Sequence, residues 1–184
     1  GLAAKMHKAI AVIQFKVEGQ IIKRHPEYGM EDRLHLTRIN FEKGTVTIKG
    51  KEYPLTDKKL PTVDPKDPLK LTKEEEELIH NLCMSFKHSV NLQRHIRFVY
   101  SHGAMYKCCN SNLLYHGCIP MKENGDFDEI KFNGIIYSGK RMLDYIEDAV
   151  KMAYFLPDDD ASKEWYKDLM WYLWCGPKSP VYGK

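Results

Sequence analysis

The sequence predicts an α+β fold, on the strength of two observations. Apolar residues recur at helical spacing near the start of the chain and again in its second half, and between these stretches the period changes to two. Each alternating stretch is short and ends at a turn signal, which favours small antiparallel hairpins. The chain has 184 residues, enough for one domain or two small ones.

The first third of the chain predicts a helix followed by a small antiparallel meander. Residues 3–24 carry a stripe of apolar side chains at helical spacing, formed by Met6, Ala9, Ile10, Ile13, Val17 and Ile21. Residues 34–55 then alternate with a period of two, and Gly44 supplies a hairpin turn because it tolerates a positive φ. The proline-rich stretch PTVDPKDPLK follows, so we predict two parts, residues 1–60 and residues 61–184.

The sequence pattern of the second part predicts four helices and two hairpins. Thr72 and Glu75 form a capping box at the start of the first helix, and Gly103 ends the second. The predicted helices cover residues 73–87, 91–101, 140–155 and 162–174. The hairpins pair MYKCC with LLYHG and EIKF with IIYS, and Asn133-Gly134 is a strong type I′ turn signal in the second hairpin.

Composition excludes several classes of protein. The chain is 43% hydrophobic and 29% charged, as soluble globular proteins are, and its formal net charge of +3 is too small to indicate nucleic-acid binding. It has no apolar run near the roughly 18 residues that a membrane helix needs. Its five cysteines are odd in number and irregularly spaced, which argues against a disulfide framework and favours a reducing, cytoplasmic setting.

His116, in the stretch NLLYHGCIPM, is the sharpest candidate for chemistry. A histidine at a strand end can offer one ring nitrogen to a metal ion while the other nitrogen donates a hydrogen bond, and Gly117 lets a neighbouring group approach closely. The alternative is a buried core histidine with satisfied hydrogen bonds, which local sequence favours. The residues alone leave both interpretations open.

Other polar residues give weaker signals. Cys108, Cys109 and Cys118 lack the C-x-x-C spacing of structural zinc, so buried, inert thiols are predicted. The remaining histidines, His25 among them, are predicted at surface, edge or helix-end positions. Lys140 and Arg141 stand at a helix start, where they are either a phosphate contact or a solvated pair.

The helix WYKDLMWYLWCGP carries three tryptophans and is predicted to lie in a core or an interface. The sequence contains no phosphate-binding loop, dinucleotide fingerprint or nucleophile elbow. The residues alone therefore do not complete a catalytic site.

Several stretches taken together resemble the class III fructose-1,6-bisphosphatases of bacteria, and the resemblance covers nearly all of the chain. It is carried by MHKAIAVIQFKVEGQIIKRHPEY, LQRHIRFVYSHGAMY, NLLYHGCIPM, YSGKRMLDYIEDAVKMAYF and DLMWYLWCGPKSPVYGK. It implies membership of the metallophosphoesterase superfamily, with a two-sheet α/β sandwich around two divalent ions, Mn²⁺ being the expected metal. The implied reaction is hydrolysis of fructose 1,6-bisphosphate to fructose 6-phosphate in gluconeogenesis.

The resemblance also assigns residues. It places His116 at the first of two late ligand histidines, while the Asp-x-His, Gly-Asp-x-x-Asp and Gly-Asn-His ligand motifs have no counterpart here. The chain is therefore expected to be an internal fragment, inactive alone, with residues 1–60 an insertion and residues 61–184 part of the phosphatase domain. As part of a sandwich, it should expose apolar surface and self-associate. Lys140 and Arg141 stay candidate substrate contacts, without support from a family motif.

Two alternatives differ in class from a phosphatase. One is a non-catalytic interaction module built on the tryptophan-rich helix and the meander, and the other is a small zinc-binding domain that uses His116 and nearby thiols. The partners implied by the phosphatase interpretation are fructose 1,6-bisphosphate and the remainder of the polypeptide, with homo-oligomer formation left open. Neither nucleic acid nor membrane is expected as a partner.

Overall fold

A computed structural model describes residues 1–182 and confirms the α+β class, with five α-helices and seven short strands in that part of the chain. The chain divides into two compact units, unit 1 being Gly1–Ser89 and unit 2 Val90–Lys184. The boundary between the two compact units lies after Ser89 and not at residue 60, because the connector at residues 61–72 packs on the first helix. The functional division at residue 60, into an insertion and a phosphatase domain, stays a prediction.

Unit 1 begins with helix α1, Leu2–Arg24, and continues through three short 3-10 helices into a meander. The meander is an antiparallel sheet of β1 (Ile39–Asn40), β2 (Thr45–Ile48) and β3 (Lys51–Pro54), in the order β1-β2-β3. Residues 36–38 are 3-10 helix, so the sheet begins five residues later than the alternating pattern predicted. The sheet leaves much of its surface to solvent, and the core of unit 1 lies under α1.

The buried face of α1 differs from the predicted stripe. Met6 and Ile10 of that stripe are exposed, whereas Val12, Lys16 and Gly19 are buried. Val12 packs in a cluster with Leu36, Val63 and Leu69. Gly19 faces Leu69 so closely that a Cβ at this position would come within 2.6 Å of a Leu69 methyl carbon. The face of α1 that packs on the core is therefore not the one that the apolar stripe predicted, because Lys16 and Gly19 lie on the inner face.

Lys16 is fully buried and forms an ion pair with Glu75, with 2.7 Å between Nζ and Oε2. Its ammonium also donates a hydrogen bond to the Thr62 carbonyl. Glu75 belongs to the predicted capping box of α2 (Lys73–Lys87), which the structure confirms, since its carboxylate accepts from the Thr72 N–H and its own N–H donates to the Thr72 hydroxyl. One carboxylate thus joins α1, the connector and the start of α2.

Acidification is expected to weaken unit 1 through Glu75. Burial opposes its ionisation, but hydrogen bonds from Lys16 and from the Thr72 backbone outweigh it and hold the pKa of Glu75 below its ordinary value of 4.5. A carboxyl with a depressed folded-state pKa stabilises the fold above its unfolded pKa and loses that contribution as pH falls through the folded value. Urea midpoints measured by circular dichroism should therefore fall below about pH 4.5, and Glu75→Gln should flatten the fall. An equally steep fall in that variant would contradict this origin.

Unit 2 contains the remaining elements in the predicted order. Its helices are α3 (Val90–His102), α4 (Gly139–Phe155) and α5 (Lys163–Cys175). Its strands form two separate two-stranded antiparallel hairpins, β4 (Tyr106–Cys109) with β5 (Asn112–Tyr115) and β6 (Glu129–Phe132) with β7 (Ile135–Ser138). Asn133 and Gly134 both have positive φ, which confirms the predicted type I′ turn.

The core of unit 2 lies where α4 and α5 pack against each other beside the second hairpin. Phe132, Met142, Ile146 and Leu169 have no exposed surface, and Tyr172 has almost none. The rings of Phe132 and Tyr172 meet edge to face, with 5.9 Å between their centroids. The inner face of the tryptophan-rich helix α5 is therefore a core face, as predicted, although Trp174 on its outer face is 65% exposed.

Much apolar surface is open in the described residues, as the sequence led us to expect. Leu113, Leu114 and Tyr115 of β5 are exposed on both faces of their hairpin, and so are Ile135 and Ile136 of β7. Self-association of the chain stays a prediction, and so does the relation to a metallophosphoesterase sandwich. None of the helices within residues 1–182 has the length and apolar character needed to cross a membrane.

Candidate metal-ligand site

His116 lies directly after β5, at the first of two bend residues that end the strand. The hairpin register pairs Tyr106 with Tyr115, so His116 extends one residue past the last strand pair. The side chain is exposed, and within residues 1–182 its ring nitrogens have no hydrogen-bond partner. The buried core histidine that local sequence favoured is therefore wrong, because the strand ends at the surface and carries His116 outward.

The two residues after His116 contact a segment far away in sequence. The Cys118 N–H donates to the Pro180 carbonyl at 2.9 Å. Gly117 packs against the same carbonyl, and a Cβ at this position would overlap the Pro180 oxygen and crowd its carbonyl carbon at 3.2 Å. The glycine is therefore required by close approach of another backbone, as the sequence predicted.

The partner segment, residues 176–181, is called the strap below, and it is fixed to α5. The Ser179 hydroxyl is buried and donates to the Leu173 carbonyl at 2.5 Å. The same hydroxyl accepts a hydrogen bond from the Val181 N–H at 3.3 Å. The Lys178 N–H donates to the Tyr172 hydroxyl at 3.3 Å. Since Leu173 and Tyr172 are core residues of α5, the strap is attached to the most buried helix of unit 2.

A groove of about 600 Å³ runs between the strap and the residues after His116. Its wall includes Gly117, Cys118 and Met121 on one side and Lys178, Ser179 and Tyr182 on the other. Lys178 donates to Asp128 at 3.0 Å and to the Glu129 carbonyl at 2.8 Å, and this lysine holds the pKa of Asp128 below its ordinary value. The groove thus combines an internally satisfied ion pair with apolar walls.

Lys140 and Arg141 lie in the first turn of α4, where the sequence placed them. The Lys140 ammonium donates to Asp144 at 2.6 Å and lies 5.5 Å from the centre of the Tyr106 ring. The hydrogen bond with Asp144 is the main cause that raises the pKa of Lys140. Arg141 lies over the Tyr137 ring at 5.2 Å. Both cations thus have intramolecular partners, and their contact with substrate stays a prediction.

The described residues do not form a metal site by themselves. Within residues 1–182, no group of three or more histidine, cysteine, aspartate or glutamate side chains is placed to hold a metal ion. His116 fits a ligand role as a single imidazole, because it is exposed and both ring nitrogens are available. The small zinc-binding domain considered as an alternative has no ligand set in this part of the chain.

Two sequence-based expectations about polar residues are wrong. Cys108, Cys109 and Cys118 are exposed thiols, because β4 and the loop after β5 are uncovered. His25 is buried, because α1 ends there and its ring stacks on Tyr28 at 4.6 Å while Nδ1 lies 2.8 Å from a Glu27 carboxylate oxygen.

Sequence reasoning also missed the strap residues beside His116. The stretch DLMWYLWCGPKSPVYGK carries part of the family resemblance, yet the sequence assigned no role to Ser179 or Pro180. The one available signal was the glycine after His116, which indicates that some group approaches closely without saying which. The contact with the strap supplies that group.

Comparison with known families identifies the class of protein to which this chain belongs. The model of the Firmicute fructose-1,6-bisphosphatase family matches residues 1–184, so the chain belongs to that family. It is 56% identical to a fructose-1,6-bisphosphatase class 3 of Clostridium novyi (strain NT), 55% to that of Clostridium tetani and 49% to that of Bacteroides fragilis. Each match covers 100% of this chain and 28% of the relative's length. No solved structure matches the chain.

Proposed function

We propose that this chain forms part of an enzyme that hydrolyses fructose 1,6-bisphosphate to fructose 6-phosphate and phosphate. The relatives are named for that activity, and the chain spans 28% of their length. The observation that carries the proposal is His116, an exposed imidazole without an internal partner, placed at a strand end that the strap braces. A histidine kept available in this way suits a site completed by other parts of the polypeptide.

His116 is proposed to hold one of two divalent ions, with Mn²⁺ as the metal. Such ions, when bound, activate water as a nucleophile and neutralise charge on the phosphate. The contribution of His116 is a nitrogen lone pair donated to the metal. Lys140 and Arg141 remain proposed phosphate contacts. To bind the phosphate, Lys140 would exchange its hydrogen bond to Asp144 for one to a phosphate oxygen. The setting proposed is the cytoplasm and the role gluconeogenesis.

The 184-residue chain alone is expected to be inactive, because one imidazole cannot position a metal pair and a phosphate ester together. The measurement is phosphate release from fructose 1,6-bisphosphate with Mn²⁺ present, with a full-length relative as the positive control. Metal-dependent turnover by the isolated chain, at a rate above that of its His116→Ala variant, would contradict the proposal that the site is completed elsewhere. Turnover equal in both would indicate a contaminating phosphatase.

A further inference from the structure

We infer that the strap (residues 176–181) positions His116, with Ser179 as the main positioning residue; the inference rests on the ligand role proposed above. A metal-bound histidine is usually oriented by a hydrogen bond from its second ring nitrogen to a carboxylate or carbonyl. Within residues 1–182, His116 has no such partner. Among the described residues, its direction is therefore set by the backbone to which it belongs.

That backbone is held by the strap on its C-terminal side. The Cys118 N–H donates to the Pro180 carbonyl at 2.9 Å, and Gly117 lies against the same group. The Cys118 thiol also lies 3.7 Å from the Ser179 carbonyl, a weak contact in the same direction. A shift of the strap therefore moves Gly117, the residue bonded to His116.

The strap in turn is held at its centre by Ser179. This side chain is 2% exposed, and its hydroxyl connects the Leu173 carbonyl of α5 to the Val181 N–H. Lys178 adds a second attachment from the surface, through Asp128 and the Glu129 carbonyl. Contacts thus run from the core of unit 2 through Ser179 and Pro180 to the residues that follow His116.

A positioning role has a signature that differs from that of a ligand. Loss of the Ser179 hydroxyl should leave His116 able to bind but less well aimed, so metal affinity should fall about tenfold, the lower end of what outer-shell changes cost. The kcat measured at saturating metal should then return to nearly the starting value. Loss of the ligand itself should lower both quantities.

The test uses full-length protein containing these 184 residues, with Mn²⁺ affinity measured by electron paramagnetic resonance of the free ion. Ser179→Ala is expected to raise the Kd for Mn²⁺ about tenfold, and Ser179→Thr, which keeps the hydroxyl, to recover most of the affinity. Ser101→Ala is the matched control, because Ser101 also donates to a helix carbonyl, that of Arg97 at 2.7 Å, but is exposed. Lys178→Gln loosens the strap from the surface and should act in the same direction if Ser179→Ala folds poorly.

The outcomes distinguish the positioning role of the strap from the ligand role of His116. Weaker Mn²⁺ binding in Ser179→Ala or Lys178→Gln, with Ser101→Ala unchanged and kcat restored by excess metal, supports the inference. Affinities equal to that of Ser101→Ala in both strap variants overturn it and leave the ligand role standing, provided that His116→Ala binds Mn²⁺ less tightly. Unchanged Mn²⁺ binding in His116→Ala overturns the ligand role and the inference with it.

Discussion

Replacing Lys16 by methionine is expected to lower the free energy of unfolding by about 3–5 kcal/mol, the range found when one partner of a buried ion pair is removed. Lys16 is 0% exposed, and its ammonium is bonded to Glu75 and to the Thr62 carbonyl. Methionine keeps the packing of the aliphatic stem but leaves a buried carboxylate without its cation. The measurement is urea unfolding followed by far-ultraviolet circular dichroism, at a protein concentration low enough to exclude association.

The same helix offers a matched control for this prediction. Lys8 pairs with Asp57 at 2.6 Å, but both side chains are substantially exposed. Surface pairs contribute about 0–1 kcal/mol, so Lys8→Met should have a small effect. Equal losses in Lys8→Met and Lys16→Met would show that burial of the Lys16 pair is not what stabilises unit 1. Adding Glu75→Leu to Lys16→Met should recover part of the loss, because the unpaired carboxylate is then removed.

Replacing His116 by alanine in full-length protein is expected to weaken Mn²⁺ binding by more than about 100-fold, since even outer-shell changes reach that size. Hydrolysis of fructose 1,6-bisphosphate should fall with it, and excess metal should restore it only in part. In metal-free protein the free energy of unfolding should change by less than about 0.5 kcal/mol, because within residues 1–182 the side chain is exposed and bonds to no described residue. Loss of activity without loss of stability would place His116 in the site.

The control for His116 is His95, an exposed histidine on α3. His95→Ala should leave Mn²⁺ affinity and turnover unchanged, whereas a general effect of removing surface imidazoles would appear in both variants. Activity of His116→Ala within about threefold of the starting protein would exclude a ligand role.

Local signals in the sequence predicted most elements of the fold. The Thr72–Glu75 capping box and the Asn133–Gly134 turn depend on neighbouring residues alone, and both are confirmed. The prediction of the inner face of α1 was wrong, because hydropathy cannot show that the charge of Lys16 is neutralised by Glu75, 59 positions away. The predicted burial of Cys108, Cys109 and Cys118 was wrong for a related reason, since burial depends on which surfaces other elements cover.

One part of the candidate site could be predicted from the sequence, and another part could not. His116 stands in a distinctive motif, so the sequence proposed it as a candidate, and the close approach predicted at Gly117 is confirmed. Ser179 looks like an ordinary loop serine in the sequence, and its role depends on a contact between segments 61 positions apart. The residues that would complete the proposed metal site have no counterpart within residues 1–182, so this stretch of sequence could not predict them.

The ligand role of His116 is tested most directly by detecting whether a bound metal ion is coordinated by a His116 ring nitrogen. Electron spin-echo envelope modulation of Mn²⁺ in the full-length protein detects the coupling of a coordinated imidazole nitrogen. We predict that this coupling is present in the starting protein and in His95→Ala, and is diminished in His116→Ala examined at saturating Mn²⁺. An identical nitrogen modulation in His116→Ala would show that His116 is not a ligand and would contradict the account.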